Sequence, residues 1–380
     1  MEAGILFISD GEMGVYAQGR AQILRSIRKE KYMTTLRELE MRNAWKYEGA
    51  GAQFQHQRNP YEGASRMADS ACQVTAVMPM GGRVLYALVT PDMGGLYIRE
   101  LDASEDGEIS WLSERTFLVR DMHMRDDQLV CALDFPNREC HIALLEAGST
   151  RYQILTQGDT QDTAPFLSAD GCTLYYASAG YARNEEGELL AKGPSALLQL
   201  NLRTGVLEEL LADDATDYLR PKEGPDGALY FIRRPYQQPA AKRLSLVDKA
   251  RNVGAFFKGV GKLLTIIGDP DKAARKKPQI AGRPAEDSQQ RMLEGVMVDI
   301  ARSADAETDD AANGCVPDTW VLVRREANGT LTEVVNGAAD YDFDGKTLVY
   351  SDGRRIIRLA DGRKNVLYKG AFIPRVVVCE

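Results

Sequence analysis

Histidine is the scarcest carrier of chemistry in this chain: among 380 residues there are three, His56, His123 and His141. A hydrolytic triad needs one of them as its base, and no G-x-S-x-G elbow accompanies them. None is followed at i+2 or i+4 by a second His or a Cys, so no zinc site is expected. The six cysteines are scattered without a C-x-x-C pair, which reads as free thiols and no cofactor cage. The opening residues MEAGILFISDGE have neither a basic leader nor a seven-residue apolar run ahead of their acidic turn, so secretion is not expected. No run of 18 uncharged apolar residues exists, which excludes a membrane-spanning helix. Together these absences predict a cytoplasmic protein that uses no metal and no organic cofactor.

At 44% apolar and 27% charged residues, the chain can bury a full core. Its organisation comes from repetition. A turn built on Asp-Gly or two Asp, followed by an alternating apolar strand, recurs in VRDMHMRDDQLVCAL (119–133), TAPFLSADGCTLYYAS (163–178), LRPKEGPDGALYFIRR (219–234) and AADYDFDGKTLVYSDG (338–353). VTAVMPMGGRVLYALVT (74–90) carries Gly81-Gly82 at the same point. A further strand follows each, usually trailed by a fourth, so each unit reads as a four-stranded meander. Asp and Gly at one position of every repeat suit a tight turn better than a calcium site.

Equivalent leucines, Leu85, Leu129, Leu174 and Leu229, lie 44, 45 and 55 residues apart, and the interval to Leu348 is lengthened by an insertion. The terminal AFIPRVVVC (371–379) looks like a first strand without a second, and GILFISD (4–10) like a second without a first. Pairing them gives an all-β, six-bladed β-propeller over residues 1–380, closed where the two ends share a blade, with a mainly helical insertion. The competing arrangement is an open sandwich of the same meanders.

The phrase PFLSADGCTLYYAS, followed by LLQLNLRTGVLEEL, resembles the TolB-type propeller repeat, in which Pro-x-x-Ser-x-Asp-Gly precedes a strand pair ending in a Thr-Gly turn. LRPKEGPDGALYFIRR keeps Pro221, Asp226 and Gly227 but has Gly224 in place of the Ser, and the Leu348 repeat keeps only Asp344-Gly345. The resemblance implies a fold and no particular activity, since such repeats serve several kinds of protein.

First strands of blades line a propeller's channel, and three of them carry arginine near one register: Arg120, Arg220 and Arg375. Convergence would make a pocket for a small carboxylate or phosphate, because guanidinium presents a fixed fork of donors. Internal ion pairing to Asp121, Asp217 or Asp340 is the competing reading.

Two segments interrupt the repeats. Residues 32–62, placed in the composite first blade, start with the helix-like YMTTLRELEMR (32–42) and continue into a loop holding Trp45, Tyr47, Phe54 and Tyr61. Those aromatics suit either a stacking platform or burial on the ring. The second, 236–318, is different in charge: between Lys242 and Lys277 there are ten basic and three acidic residues, leaving −15 on the remainder of a chain whose net charge is −8. On a helical projection Ala250, Val253, Phe256, Phe257, Val260, Leu263, Leu264 and Ile267 share an apolar stripe, with Arg251, Lys258 and Lys262 opposite and Lys276 and Lys277 beyond. A basic amphipathic helix of this kind suits an anionic membrane surface or a partner's groove, and equally suits packing on its own propeller.

The function these features predict is a non-enzymatic binding or scaffold propeller, docked through 236–318 to a protein partner or to the inner face of an anionic membrane. The alternative is an enzyme acting on an anionic small molecule or sugar in the channel. The acidic overall charge disfavours nucleic acid as a partner.

Overall fold

The computed structural model of the chain describes residues 4–47, 71–101, 107–146, 148–237, 290–300 and 314–379. The first strands are β1 (Ile5–Ser9), β2 (Glu12–Ala17) and β3 (Arg20–Leu24), after which helix α1 (Ile27–Tyr47) begins. A meander follows from β4 (Gln73–Met80), β5 (Arg83–Val89), β6 (Gly94–Glu100) and β7 (Glu108–Glu114). The next is β8 (Leu118–Arg125), β9 (Gln128–Asp134), β10 (Cys140–Glu146) and β11 (Tyr152–Ile154). A single parallel contact, Cys140 with Gln161, joins it to β12 (Thr160–Leu167), β13 (Thr173–Arg183), β14 (Leu189–Asn201) and β15 (Leu207–Leu211).

The chain continues through β16 (Thr216–Glu223) and β17 (Leu229–Pro235) to a separate hairpin, β18 (Gln290–Leu293) with β19 (Val296–Asp299). It then resumes the interrupted sheet with β20 (Val321–Arg325) and β21 (Leu331–Asn336). The last strands are β22 (Asp340–Asp344), β23 (Thr347–Ser351), β24 (Gly353–Ala360), β25 (Arg363–Ile373) and β26 (Arg375–Val378). β26 does not extend the sheet of β22 to β25 but pairs antiparallel with β1, Ile5 opposite Val378 and Ile8 opposite Arg375. The ends of the chain thus share one sheet, in the order β26-β1-β2-β3.

The insertion at 236–318 leaves after β17 and returns before β20, the second and third strands of their sheet. Its described residues include this β-hairpin, and the helix expected at 250–267 lies outside the described residues. The helix α1 starts five residues before the expected 32, capped by Ser26, whose hydroxyl accepts the Lys29 amide at 3.1 Å. It follows β3 and so leads from one sheet to the next.

Hydrophobic clusters fill the spaces between successive sheets. Leu6, Ile8 and Met13 pack against Val84, Tyr86 and Leu88; Leu85 and Leu96 against Val119 and Leu129; Val130 and Ile142 against Leu174 and Leu198. Ala177 and Leu197 meet Phe231 and Val323, and Ile232 and Leu322 meet Tyr341 and Leu348. A sixth cluster sets Ile5, Phe7, Val376 and Val378 against Val349, Ile356 and Ile373. Each strand that is buried on both faces belongs to two clusters, which explains near-continuous apolar runs such as VLYALV. Cys131 and Cys140, on neighbouring strands, face opposite sides of their sheet and stand as free thiols.

The recurring turn phrase is visible as hydrogen bonds. The Ser168 hydroxyl donates to Asp170 Oδ1 at 2.5 Å, the Cys172 amide donates to that same carboxylate at 2.9 Å, and Gly171 takes a positive φ of 64°. At the equivalent turn Gly224 replaces Ser because the Tyr230 ring fills the space: a Cβ there would sit 2.4 Å from the ring. Tyr230 donates instead to Asp226 at 3.1 Å.

Candidate functional site

The strands β4, β8, β12, β16, β22 and β26 all contribute to one cavity of about 540 Å³. Several are bulged at corresponding places: register shifts occur at Val119/Asp121 in β8, Thr163/Phe166 in β12 and Leu219/Lys222 in β16. A bulge adds a residue and re-aims side chains. At Arg220 the backbone enters the left-handed region, φ 54°, a costly conformation for arginine that the surrounding contacts must hold in place.

Those contacts are ionic. Arg220, only 5% exposed, donates from Nη1 to Asp340 at 3.2 Å and from Nη2 to Asp121 at 3.0 Å and to Glu294 at 2.8 Å. Arg375 Nη2 reaches the same Glu294 oxygen at 3.0 Å and Asp121 at 3.5 Å. Burial works against the Arg220 charge, but Asp340, Glu294 and Asp121 outweigh it and raise the pKa. Burial pushes the Asp340 carboxyl up, as expected where three carboxylates share two guanidinium groups.

Glu294 comes from outside the sheets. It sits with Gly295 in the turn of the β18–β19 hairpin, both at positive φ, and its carbonyl oxygen accepts Arg234 Nη2 at 2.7 Å. Leu293 and Val298 of the hairpin pack against Trp320, and Arg234 lies 4.4 Å from that ring's centroid while pairing with Asp217 at 2.9 Å. The hairpin tip therefore meets Arg220 and Arg375, two of the residues that line the 540 Å³ cavity, which extends to the turns after β4, β8, β12, β16 and β22.

Of the three arginines singled out in the sequence, the fold brings Arg220 and Arg375 together. Arg120 lies on the bulge of β8 and is taken by Asp134 across the ladder, at 2.7 Å. The internal ion pairing weighed against an open anion pocket is present for Arg220, with Asp121 and Asp340, while Asp217 belongs to Arg234. Sequence reasoning missed Glu294; its signal was a Glu-Gly turn between short alternating stretches, QRML and VMVD. The residues Arg251, Phe256, Phe257, Lys258, Lys262, Leu263, Leu264, Lys276 and Lys277 lie outside the described residues.

The cavity is also lined by Asp121, His123, Arg125, Lys222, Glu223 and Asp342, with Phe166 beside them. Lys222 Nζ donates to the Tyr341 carbonyl at 2.6 Å and pairs with Asp342 at 3.3 Å. A belt of side-chain-to-backbone bonds connects one first strand to the next: Thr75 donates to the Val119 carbonyl, His123 Nδ1 accepts the Leu167 amide, Glu223 accepts the Ala169 amide and Tyr341 donates to the Arg220 carbonyl. Asp340 and Asp342 accept the amides of Val376 and Val378. These bonds satisfy inner strand edges that no neighbouring strand covers.

His123 is thus an acceptor in the wall. Burial, with Lys222 and Arg125 nearby, lowers its pKa to about 3. His141 is opposite: burial opposes its charge, yet Asp162 and Glu139 raise it to about 9. A histidine NMR titration of the folded protein should give midpoints near these values. The signs for stability differ. The His141 contribution is fully present below pH 6.5 and is lost as pH rises through 9, whereas His123 removes stability as pH falls from 6.5 towards 3, because only the unfolded chain takes up that proton. Two midpoints both near 6.5 would contradict these environments.

No protein-family model and no curated protein matches the chain. Among solved structures it is similar to one of a nidogen/laminin complex, at 6% identity over 99% of this chain and 98% of the other, TM-score 0.48. It is also similar to a putative TolB from Agrobacterium tumefaciens, 10% identity over 100% and 99%, TM-score 0.42. A putative 6-phosphogluconolactonase from Bacteroides uniformis is similar at 11% identity over 99% of each chain, TM-score 0.44. The chain's own antiparallel meanders and its Ser-x-Asp-Gly turn resemble the TolB-type propeller repeat, and these likenesses carry nothing about activity.

Proposed function

We propose that this protein is a non-enzymatic binding propeller, a ring of six blades closed by β26 on β1 and docked to an anionic membrane surface through its 236–318 insertion. The hairpin β18–β19 carries this reading. It belongs to the insertion, and it seats Glu294 where a small anion would meet Arg220 and Arg375. Around that carboxylate Arg220 and Arg375 also meet Asp121, and Arg220 meets Asp340, so three carboxylates already face two guanidinium groups and leave no cationic charge for a substrate.

The clusters between successive sheets, ending with the one that packs the chain's two ends against β23 and β24, support a closed ring. His123, held neutral as a hydrogen-bond acceptor, is poorly suited to act as a base near pH 7. The insertion leaves between second and third strands, the end of the sheet away from the open cavity, so docking there would leave the cavity free. Binding of the apolar stripe would gain roughly 25 cal/mol per Å² buried, with about 1 kcal/mol per basic residue near anionic lipid. The full chain should co-sediment with phosphatidylglycerol vesicles at low salt and be released at high salt. Replacing Phe256 and Phe257 with Ser should abolish sedimentation without changing thermal unfolding. A wild type indifferent to such vesicles would overturn membrane docking in favour of a protein partner.

A further inference from the structure

A second cavity, of about 650 Å³, lies between α1 and the sheet β4–β7 and shares no lining residue with the first. Its wall comes from the first turns of α1 (Arg28, Lys31, Tyr32, Thr35), the β5–β6 turn (Thr90 to Met93), and Tyr97, Ser113 and Arg115. The turn is braced by the Thr90 hydroxyl, which donates to the Met93 carbonyl at 3.1 Å and accepts the Met93 amide at 3.2 Å. Volumes of this size hold small ligands.

Its charge is unbalanced. Arg28, Lys31 and Arg115 face one carboxylate, Asp92, and Asp92 accepts the Tyr32 hydroxyl at 2.8 Å rather than an ammonium or guanidinium. Among the described residues none of the three cations has an ion-pair partner, unlike the arginines of the channel. Arg28 is held over the Tyr97 ring, 5.6 Å from its centroid. The helix amides at Ile27 and Arg28 are already used, each donating to the Glu108 carboxylate at 3.0 Å, so the side chains and not the helix end would bind a ligand.

We infer that this cleft is a binding site for a phosphomonoester. Three cations against one carboxylate leave an excess of two positive charges. A carboxylate or phosphodiester would cancel one of them, whereas a phosphomonoester carries about −1.5 to −2 at pH 7. Arginine forks match phosphate oxygens in pairs, and the Ser113 hydroxyl is placed to donate to a remaining oxygen or to the alcohol it esterifies, whereas Thr35 and Thr90 already donate to the Lys31 and Met93 carbonyls. The proposal goes beyond membrane docking and does not depend on it. A soluble ester and a phosphate-bearing lipid headgroup share the chemistry.

Calorimetric titration of the full chain with glycerol 3-phosphate at low salt tests the site, with glycerol as the control. Arg115→Gln and Lys31→Gln should each weaken binding about tenfold, the effect of one charged hydrogen bond, while leaving thermal unfolding unchanged because both side chains are exposed and unpaired. Vesicles carrying phosphatidic acid separate the sources. If the Phe256→Ser, Phe257→Ser variant still sediments with them, and adding Arg115→Gln releases it, the site takes the headgroup. Binding of glycerol 3-phosphate without sedimentation of that variant assigns a soluble ester. No heat with glycerol 3-phosphate and no sedimentation, or undiminished affinity in Arg115→Gln, would overturn the proposal.

Discussion

Replacing Arg220 with Met should destabilise the protein by about 3–5 kcal/mol, the scale seen when one partner of a buried ion pair is removed and its counter-charges stay behind. Arg220 is buried, and its guanidinium is shared among Asp121, Asp340 and Glu294, at 3.0, 3.2 and 2.8 Å. Removing it leaves the carboxylates of Asp121 and Glu294 with Arg375 and takes from Asp340 the guanidinium it pairs with. The cost comes from their desolvation more than from the attraction lost. Adding Glu294→Gln to Arg220→Met should therefore recover part of the loss, a coupling that a double-mutant cycle in urea measures. An Arg220→Met change below 1 kcal/mol, or strict additivity, would show that the cluster is well hydrated and does not hold the channel.

The same cluster shows which parts of the site were legible beforehand. Arg220 and Arg375 could be placed on the channel because the repeat fixes which strand is innermost and which position faces in. Arg120 shares the register, and both it and Arg220 sit on a bulge, yet Asp134 on the neighbouring strand takes Arg120, a pairing across the ladder that the register of the first strands does not encode. Glu294 was invisible for another reason: it reaches Arg220 across 74 residues of chain, and no local spacing links the two. The Ser168–Asp170–Gly171 turn was readable because its bonds are local, two to five residues apart. The α1 cleft was not, since Arg28, Thr90 and Arg115 meet only through packing of a helix on a sheet.

Deleting residues 375–380 should be among the most damaging truncations, although it removes a short strand from the end of the chain. Val376 and Val378 are buried against Phe7, Val349 and Ile356, and each fully buried valine contributes about 1.5–3 kcal/mol. The ladder from Ile5 to Ile8 would lose its partner, which exposes the β1 edge. Asp340 and Asp342 would lose the Val376 and Val378 amides, and Glu294 would lose Arg375, so carboxylates already crowded by burial would lose donors together. The combined loss approaches the whole stability of an ordinary domain, about 5–15 kcal/mol. The truncated chain should unfold at a much lower temperature than the intact one, and a peptide spanning 371–379 added in trans should restore part of the difference by taking the vacant edge. A truncation that melts like the intact chain would mean that β26 is an appendage, and that the sheets hold together without the pairing of their two ends.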